Sequence, residues 1–215
     1  MSKSVVKMTE TIKEAIINLF NNNSVMATFV LALLPIFELR GAIPFGMSTQ
    51  IWGENALTPL SSFLTSFLAT SLVVPIIYFI FAPILNLFKK TKLFKKIAER
   101  FENRIKEKSN KMENSNTLKK MIGVFLFVAI PLPLTGVYTG TCVAVVLGLN
   151  FYETLISCVG GNFIAGIIML LLSTIFKNNT LIVLYAFIII LVLILLTGFI
   201  VKLIKKHSKS KSVNQ

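Results

Sequence analysis

The chain is 215 residues long, 54% of them hydrophobic, with 18 Phe, 14% charged residues and a mean hydropathy of +0.77; a soluble domain of this size carries nearer a quarter charged residues and has too little interior for so much apolar surface. Its net charge of +13 is unevenly placed, with +1 in residues 1–23, +8 in 89–120, +5 in 202–215 and a slightly negative remainder. Lys-rich blocks beside long apolar runs follow the positive-inside rule, no aromatic–basic reading motif accompanies them, and the sequence therefore reads as an integral membrane protein with no nucleic-acid partner.

The expected fold is all-α: a polytopic helical bundle in one membrane domain, residues 1–215. Residues 1–23 are predicted as an amphipathic N-terminal helix, because Val5, Met8, Ile12, Ile16 and Phe20 recur at helical spacing with Lys7, Glu10 and Glu14 elsewhere on the wheel. Glu10 and Glu14 also break any long apolar core of the kind a removable signal needs. Segment 24–53 holds two uncharged limbs, 24–37 and 41–53, on either side of Glu38 and Arg40. Neither limb reaches the ~20 residues that span ~30 Å of hydrocarbon, so a re-entrant hairpin is predicted. Residues 55–88 are a full span. The basic segment 89–120 follows, with Leu93, Ile97, Phe101 and Ile105 every fourth residue among its lysines, the pattern of a helix lying on an anionic leaflet. A second re-entrant hairpin is predicted over 121–150, where Pro131 and Pro133 remove backbone donors and Gly136 loosens the chain. Spans 154–176 and 180–201 and a basic tail, 202–215, complete the chain.

The two breaks resemble each other. Leu39-Arg40-Gly41 aligns with Leu134-Thr135-Gly136 at an offset of 95, each after an apolar limb with a Pro and each before a long span. Two units of broken helix plus span suggest a transporter-type inverted repeat. Charge orients it: the 89–120 segment and the C-terminal tail are expected on the cytoplasmic side of the cell membrane, with the N-terminus outside. The two breaks then face one another at the midplane.

Chemistry concentrates at those breaks. Glu38 and Arg40, followed by Gly41 and Pro44, are ionisable groups at membrane depth, which usually mark a substrate or ion path. Arg40 offers a planar fork of donors suited to phosphate or carboxylate. Glu38 can change charge, because burial disfavours its carboxylate and Arg40 favours it. A mutually neutralising structural pair stands beside this reading. At the second break Pro131, Pro133, Thr135, Gly136, Tyr138 and Thr139, with Thr141 beyond, offer hydroxyls, and the helix-limb ends offer amides that suit an anion. Hydroxyls that bond to their own backbone are the alternative there.

The remaining polar residues read more simply. Glu153 is expected at the cytoplasmic interface, Trp52 and Glu54 at the outer one with Trp52 as an aromatic-belt anchor, and Gly160, Gly161, Ala165 and Gly166 as small-residue packing with a polar contact from Asn162. Cys142 and Cys158 lie in apolar runs as free thiols. His207 is in the tail and the sequence contains no Asp. No nucleophile–base set, metal-ligand set or cofactor motif is present, so an enzyme is not expected and no cofactor is assigned.

Glu38-Leu-Arg-Gly-Ala-Ile-Pro44, followed by Pro131-Leu-Pro-Leu-Thr-Gly-Val-Tyr-Thr-Gly-Thr141, resembles the small multi-drug export protein family over roughly residues 25–175. The layout is also similar to the DedA (SNARE-associated, VTT) superfamily, whose two re-entrant hairpins carry acidic and Arg residues; the second hairpin here is Thr-rich instead. The resemblance implies a secondary transporter working by alternating access with proton coupling. A translocase of anionic phospho-lipid and a non-transporting membrane scaffold are the rivals. Partners would be anionic-leaflet lipids at the Lys-rich segments, a small-molecule or lipid-phosphate substrate, protons, and further copies in a homo-oligomer.

Overall fold

The computed structural model describes residues 11, 13–89 and 117–176, together with 182–183, 185–190, 192–193 and 196–197. These form helices and turns, with no strand among the described residues, as expected of an all-α protein. Helix α1 (Lys13–Leu19) meets α2 (Ser24–Ala32) at 97°. Then come α3 (Glu38–Gly46), α4 (Thr49–Trp52) with a 3-10 turn (Gly53–Asn55), α5 (Pro59–Lys89), α6 (Thr117–Ala129), α7 (Val137–Val146) and α8 (Phe151–Ile175). The basic helix expected around 93–105 and the tail 202–215 lie outside the described residues, as does much of the 180–201 span.

Residues Pro59–Leu85 of α5 and the whole of α8 are 27 and 25 residues long with mean hydropathy 2.3, enough to cross a bilayer. Both helices are built inside out. On α5, Leu60, Leu64, Leu68, Leu72, Ile76 and Ile80 stand exposed at every fourth position, while Ser62, Ser66 and Thr70 are fully buried. On α8, Ile156, Phe163, Ile164, Leu171 and Ile175 face out, while Thr154, Asn162 and Ser173 face in. Such a surface is stable only where the solvent is itself apolar.

The two long helices run antiparallel. Phe63 and Phe67 of α5 each meet Phe163 edge-on at 5.6 Å, Thr70 accepts from Asn162 at 2.7 Å, and Phe79 stacks on Phe151 at 5.1 Å. Small residues set the spacing: a Cβ on Gly161 would lie 2.5 Å from Phe125 O of α6, and one on Gly166 2.6 Å from the Phe63 ring.

Short helices fold back in pairs at either end of this frame. At the end of α3, a Cβ on Gly46 would lie 2.6 Å from Thr28 Oγ1 of α2 and 2.7 Å from Ser62 Oγ of α5. Ser24 Oγ donates to Asn55 O at 2.5 Å, and the Leu57 amide to Gly46 O at 2.8 Å. The α2/α3 pair thus opens at the N-terminal end of α5. In the second pair, Lys120 Nζ in the first turn of α6 donates to Leu147 O just past α7 at 3.0 Å, where the partial charge of a helix C-terminus favours a cation. That pair opens where α8 begins. Since α5 and α8 are antiparallel, the two pairs open at opposite ends of the frame. The packing follows an exchange pattern: α2 and α3 lie on α5 and α3 also on α8, whereas α6 and α7 lie on α8 and α7 also on α5. All nine residues of α3 are buried.

Three boundaries differ from expectation for local reasons. Helix α6 begins at Thr117, inside the segment read as a basic loop to 120. Helix α5 begins at Pro59 rather than 55, a proline being suited to a first helical turn whose amide has no partner. Helix α8 begins at Phe151 rather than 154, because Asn150 and Glu153 form a capping box with bonds of 2.9 and 2.8 Å. Glu153 is therefore a helix cap. Trp52 is not a lipid-facing belt residue: it is 3% exposed, donates Nε1–H to Phe45 O at 3.1 Å, and sits in a cluster with Ala27, Phe45, Ile16 and Phe20. It fastens α1 and α4 to α3, because burying the indole in that cluster gives its N–H a carbonyl partner.

Candidate functional site: an ion pair between two helix breaks

Each break has a local cause. Helix α6 stops at Ala129 because Ile130 precedes a proline, which disfavours helical backbone, and Pro131 has no N–H for the carbonyl four residues back. Leu134 then turns the chain at φ +72°. At the first break the turning residue is Glu38 itself, at φ +47°. Left-handed backbone at a non-glycine residue costs on the order of 1–3 kcal/mol and persists only where surroundings hold it. The threonines supply part of that hold: Thr139 Oγ1 donates to Leu134 O at 2.6 Å, with Gly136 O at 3.3 Å, and Thr135 Oγ1 reaches Ile130 O at 2.8 Å and Leu132 O at 2.9 Å. Thr135→Val and Thr139→Val are each expected to cost about 1 kcal/mol, seen as a few degrees of melting temperature in detergent.

Residues two apart on a regular helix point in nearly opposite directions. The left-handed turn at Glu38 removes that restriction, and Arg40 NH1 donates to Glu38 Oε2 at 2.5 Å. Glu38 is 4% and Arg40 1% exposed, and no other ion pair occurs among the described residues. Both groups reach across to the second break. Arg40 NH2 donates to Val128 O at 2.9 Å, Thr135 O at 3.3 Å and Ile130 O at 3.4 Å. The carbonyls of Val128 and Ile130 belong to the end of α6, where the last carbonyls of a helix lack internal donors. Glu38 Oε1 accepts from the Tyr138 amide at 3.4 Å, in the first turn of α7. A carboxylate there is favoured by the positive end of the helix dipole. In return, the Tyr138 hydroxyl donates to Leu33 O at the end of α2.

Gly136 makes the close approach feasible. A Cβ at this position would occupy the space of the Glu38 carboxylate itself. Its φ of −82° is open to any residue, so the glycine is needed for room and not for conformation.

Of the residues singled out from sequence, the fold brings Glu38, Arg40, Gly136, Tyr138 and the Thr135 carbonyl into one interior junction. Gly41 lies a turn from Phe37, whose ring would crowd a Cβ at 2.8 Å, and Pro44 lies inside α3, where it cannot donate to Arg40 O. Pro131 and Pro133 shape the second turn, and Thr139 is exposed with its hydroxyl held by its own helix end. The α7 amide end faces the Glu38 carboxylate. The aligned tripeptides meet, through Arg40 and Thr135 O, but occupy different places: Leu39-Arg40-Gly41 lies within α3, and Leu134-Thr135-Gly136 precedes α7. The carbonyls of Leu33, Val128 and Ile130 were not singled out from sequence. Their signal was their place just before a break, where a helix leaves carbonyls unpaired.

Apolar helices facing outward and a charged junction at the centre define an integral membrane protein. The chain belongs to the family described as "Putative small multi-drug export protein", whose profile matches residues 38–168, more than half of the chain, from the ion-pair glutamate to the middle of α8. No curated protein and no solved structure matches it.

Proposed function

We propose that the protein is a proton-coupled secondary transporter that works by alternating access, with its site where the two helix breaks meet. The observation that carries this reading is the Glu38–Arg40 pair, buried in the interior and held by helix ends that belong to the other hairpin. Each charge has a partner that a ligand or proton can replace. A cationic drug competes with Arg40 for Glu38, an anion competes with Glu38 for Arg40 and the α7 amides, and a proton on Glu38 releases both contacts. Two re-entrant hairpins related as an inverted repeat are supported by their opening at opposite ends of the α5/α8 pair and by the exchange pattern of their packing. The perpendicular α1, with Ile16 and Ile17 packed inward, supports an interfacial N-terminal helix, and the basic segments support a cytoplasmic loop and C-terminus.

A groove of about 680 Å³ between α2, α5 and α8, lined by Phe29, Leu68, Leu72, Leu155 and Val159 among others, favours a second reading, translocation of a lipid with its acyl chain in that groove. The test is uptake by proteoliposomes across a panel of lipophilic cations and polyprenyl or phospholipid phosphates, with and without a pH gradient. Gradient-dependent cation movement that falls at least tenfold in Glu38→Gln is expected. Movement of lipid phosphate instead favours the translocase, and silence from a folded preparation removes both.

A further inference from the structure

Two side chains donate from one hairpin to the other, and they do so reciprocally. Arg40, in the first turn of α3, donates NH2 to Val128 O at the end of α6 at 2.9 Å. Tyr138, in the first turn of α7, donates its hydroxyl to Leu33 O at the end of α2. The second limb of each hairpin thus holds the end of the other's first limb. The two acceptors stand 95 residues apart, the same offset that aligns Leu39-Arg40-Gly41 with Leu134-Thr135-Gly136. Both carbonyls need an outside donor for one reason. A continuing helix would supply the amide four residues on, but the chain turns. The Phe37 amide donates to Leu34 O at 3.1 Å, and the Leu132 amide to Ile130 O at 2.8 Å. At membrane depth the carbonyl left behind must be satisfied by protein.

The two ties differ in chemistry. Arg40 is shared with Glu38, whose carboxylate also accepts from the Tyr138 amide at 3.4 Å, so a proton or a charged ligand at this pair loosens the contacts the pair makes across the junction. The titratable groups close enough to feel the Glu38 carboxylate are Arg40 on α3, Tyr138 on α7 and the Cys158 thiol on α8. The Tyr138 hydroxyl carries no charge, and a phenol keeps its proton across the range in which carboxylates titrate. Its bond to Leu33 O therefore outlasts the charged tie. It also counts for more once that tie has gone, because among the described residues the hairpins pack on α5 and α8 more than on each other.

We infer that Tyr138 is the gate of the junction: a charge-free tie that keeps the end of α2 against α7 while Glu38 and Arg40 are released from α6 and α7, so that the pair is never open to both sides of the membrane at once. In this role Tyr138 is a positioning residue, since it acts on the hairpins and not on the ligand. The gating rests on the transporter reading, whereas the reciprocal ties do not.

The experiment uses full-length protein in proteoliposomes. Tyr138→Phe, which deletes one hydroxyl and keeps the ring, is compared in the wild-type background and in the charge-free Glu38→Gln/Arg40→Met background. Hydrogen–deuterium exchange is read on peptides from α2 and α7, with α8 as the internal reference. With the charged tie present, Tyr138→Phe is expected to speed exchange less than about threefold. In the charge-free background it should speed exchange at least tenfold, because the two ties then fail together. A triple variant that does not fold, when Tyr138→Phe and the charge-free variant both do, shows the same dependence. Equal effects in the two backgrounds would overturn the inference. The second reading is proton flux under an imposed pH gradient with no solute added, per unit of folded protein, which a loss of folded protein alone would not change. Tyr138→Phe should dissipate the gradient at least tenfold faster than wild type. A wild-type rate in a variant that still takes up solute would overturn the gate. Background-dependent exchange in a protein that moves neither protons nor solutes would keep the ties and refute the transporter.

Discussion

Gly136→Ala should unfold or inactivate the protein, with an expected cost of about 3–5 kcal/mol, because the new methyl takes the place of the Glu38 carboxylate and separates a buried ion pair. Backbone strain contributes nothing, since φ at this position is −82°. Two other glycines make the measurement specific. Gly123 lies within α6 with open space around its Cβ direction, so Gly123→Ala should raise stability by about 0.5–1 kcal/mol through helix propensity. Gly148, at φ +77° and also in open space, should lose about 1 kcal/mol from backbone strain alone. Thermal melting in detergent ranks the three. A Gly136→Ala protein that melts with wild type would show that the carboxylate lies elsewhere.

Arg40→Ala is the second substitution with a large expected effect. It strips Glu38 of its counter-charge and three carbonyls of their donor, and should cost about 3–5 kcal/mol. Glu38→Gln combined with Arg40→Met removes both charges while keeping side-chain volume, and should recover most of that loss. Arg40→Lys is more discriminating. Its ammonium has one centre, whereas the guanidinium divides its work between NH1 on Glu38 and NH2 on the end of α6. The lysine variant is therefore expected to keep the fold within about 2 kcal/mol and to lose gradient-driven uptake. Unimpaired uptake in Arg40→Lys or in the double variant would reduce the pair to a structural latch.

What the sequence made legible is set by distance along the chain. Charge-free runs located α5 and α8, and prolines beside glycine located the second break, because both signals lie within a few residues. The pairing of Glu38 with Arg40 was readable as a local possibility once the helix was expected to be unwound there. Its long-range contacts, 88 to 100 residues away, were not readable, since a place beside a helix break marks a backbone group as unpaired but does not say which side chain will pair with it. The capping box at Asn150 and Glu153 was readable from its spacing, yet an acidic residue next to a membrane span draws a functional interpretation first. Trp52 shows the opposite limit. Composition places an indole near an interface, and only the fold of α4 against α3 turns it inward.

The contacts between the two breaks also bear on how the chain is made. Arg40 leaves the ribosome almost 90 residues before Val128, so the residues of α2 and α3 are complete while the carbonyls that hold Arg40 are still untranslated. A lone arginine or glutamate at that depth would be drawn back to water. A pair only two residues apart carries its own neutralisation from the outset. The left-handed turn at Glu38 brings these two charges together using residues 38–40 alone, so the pair itself needs nothing from the second break.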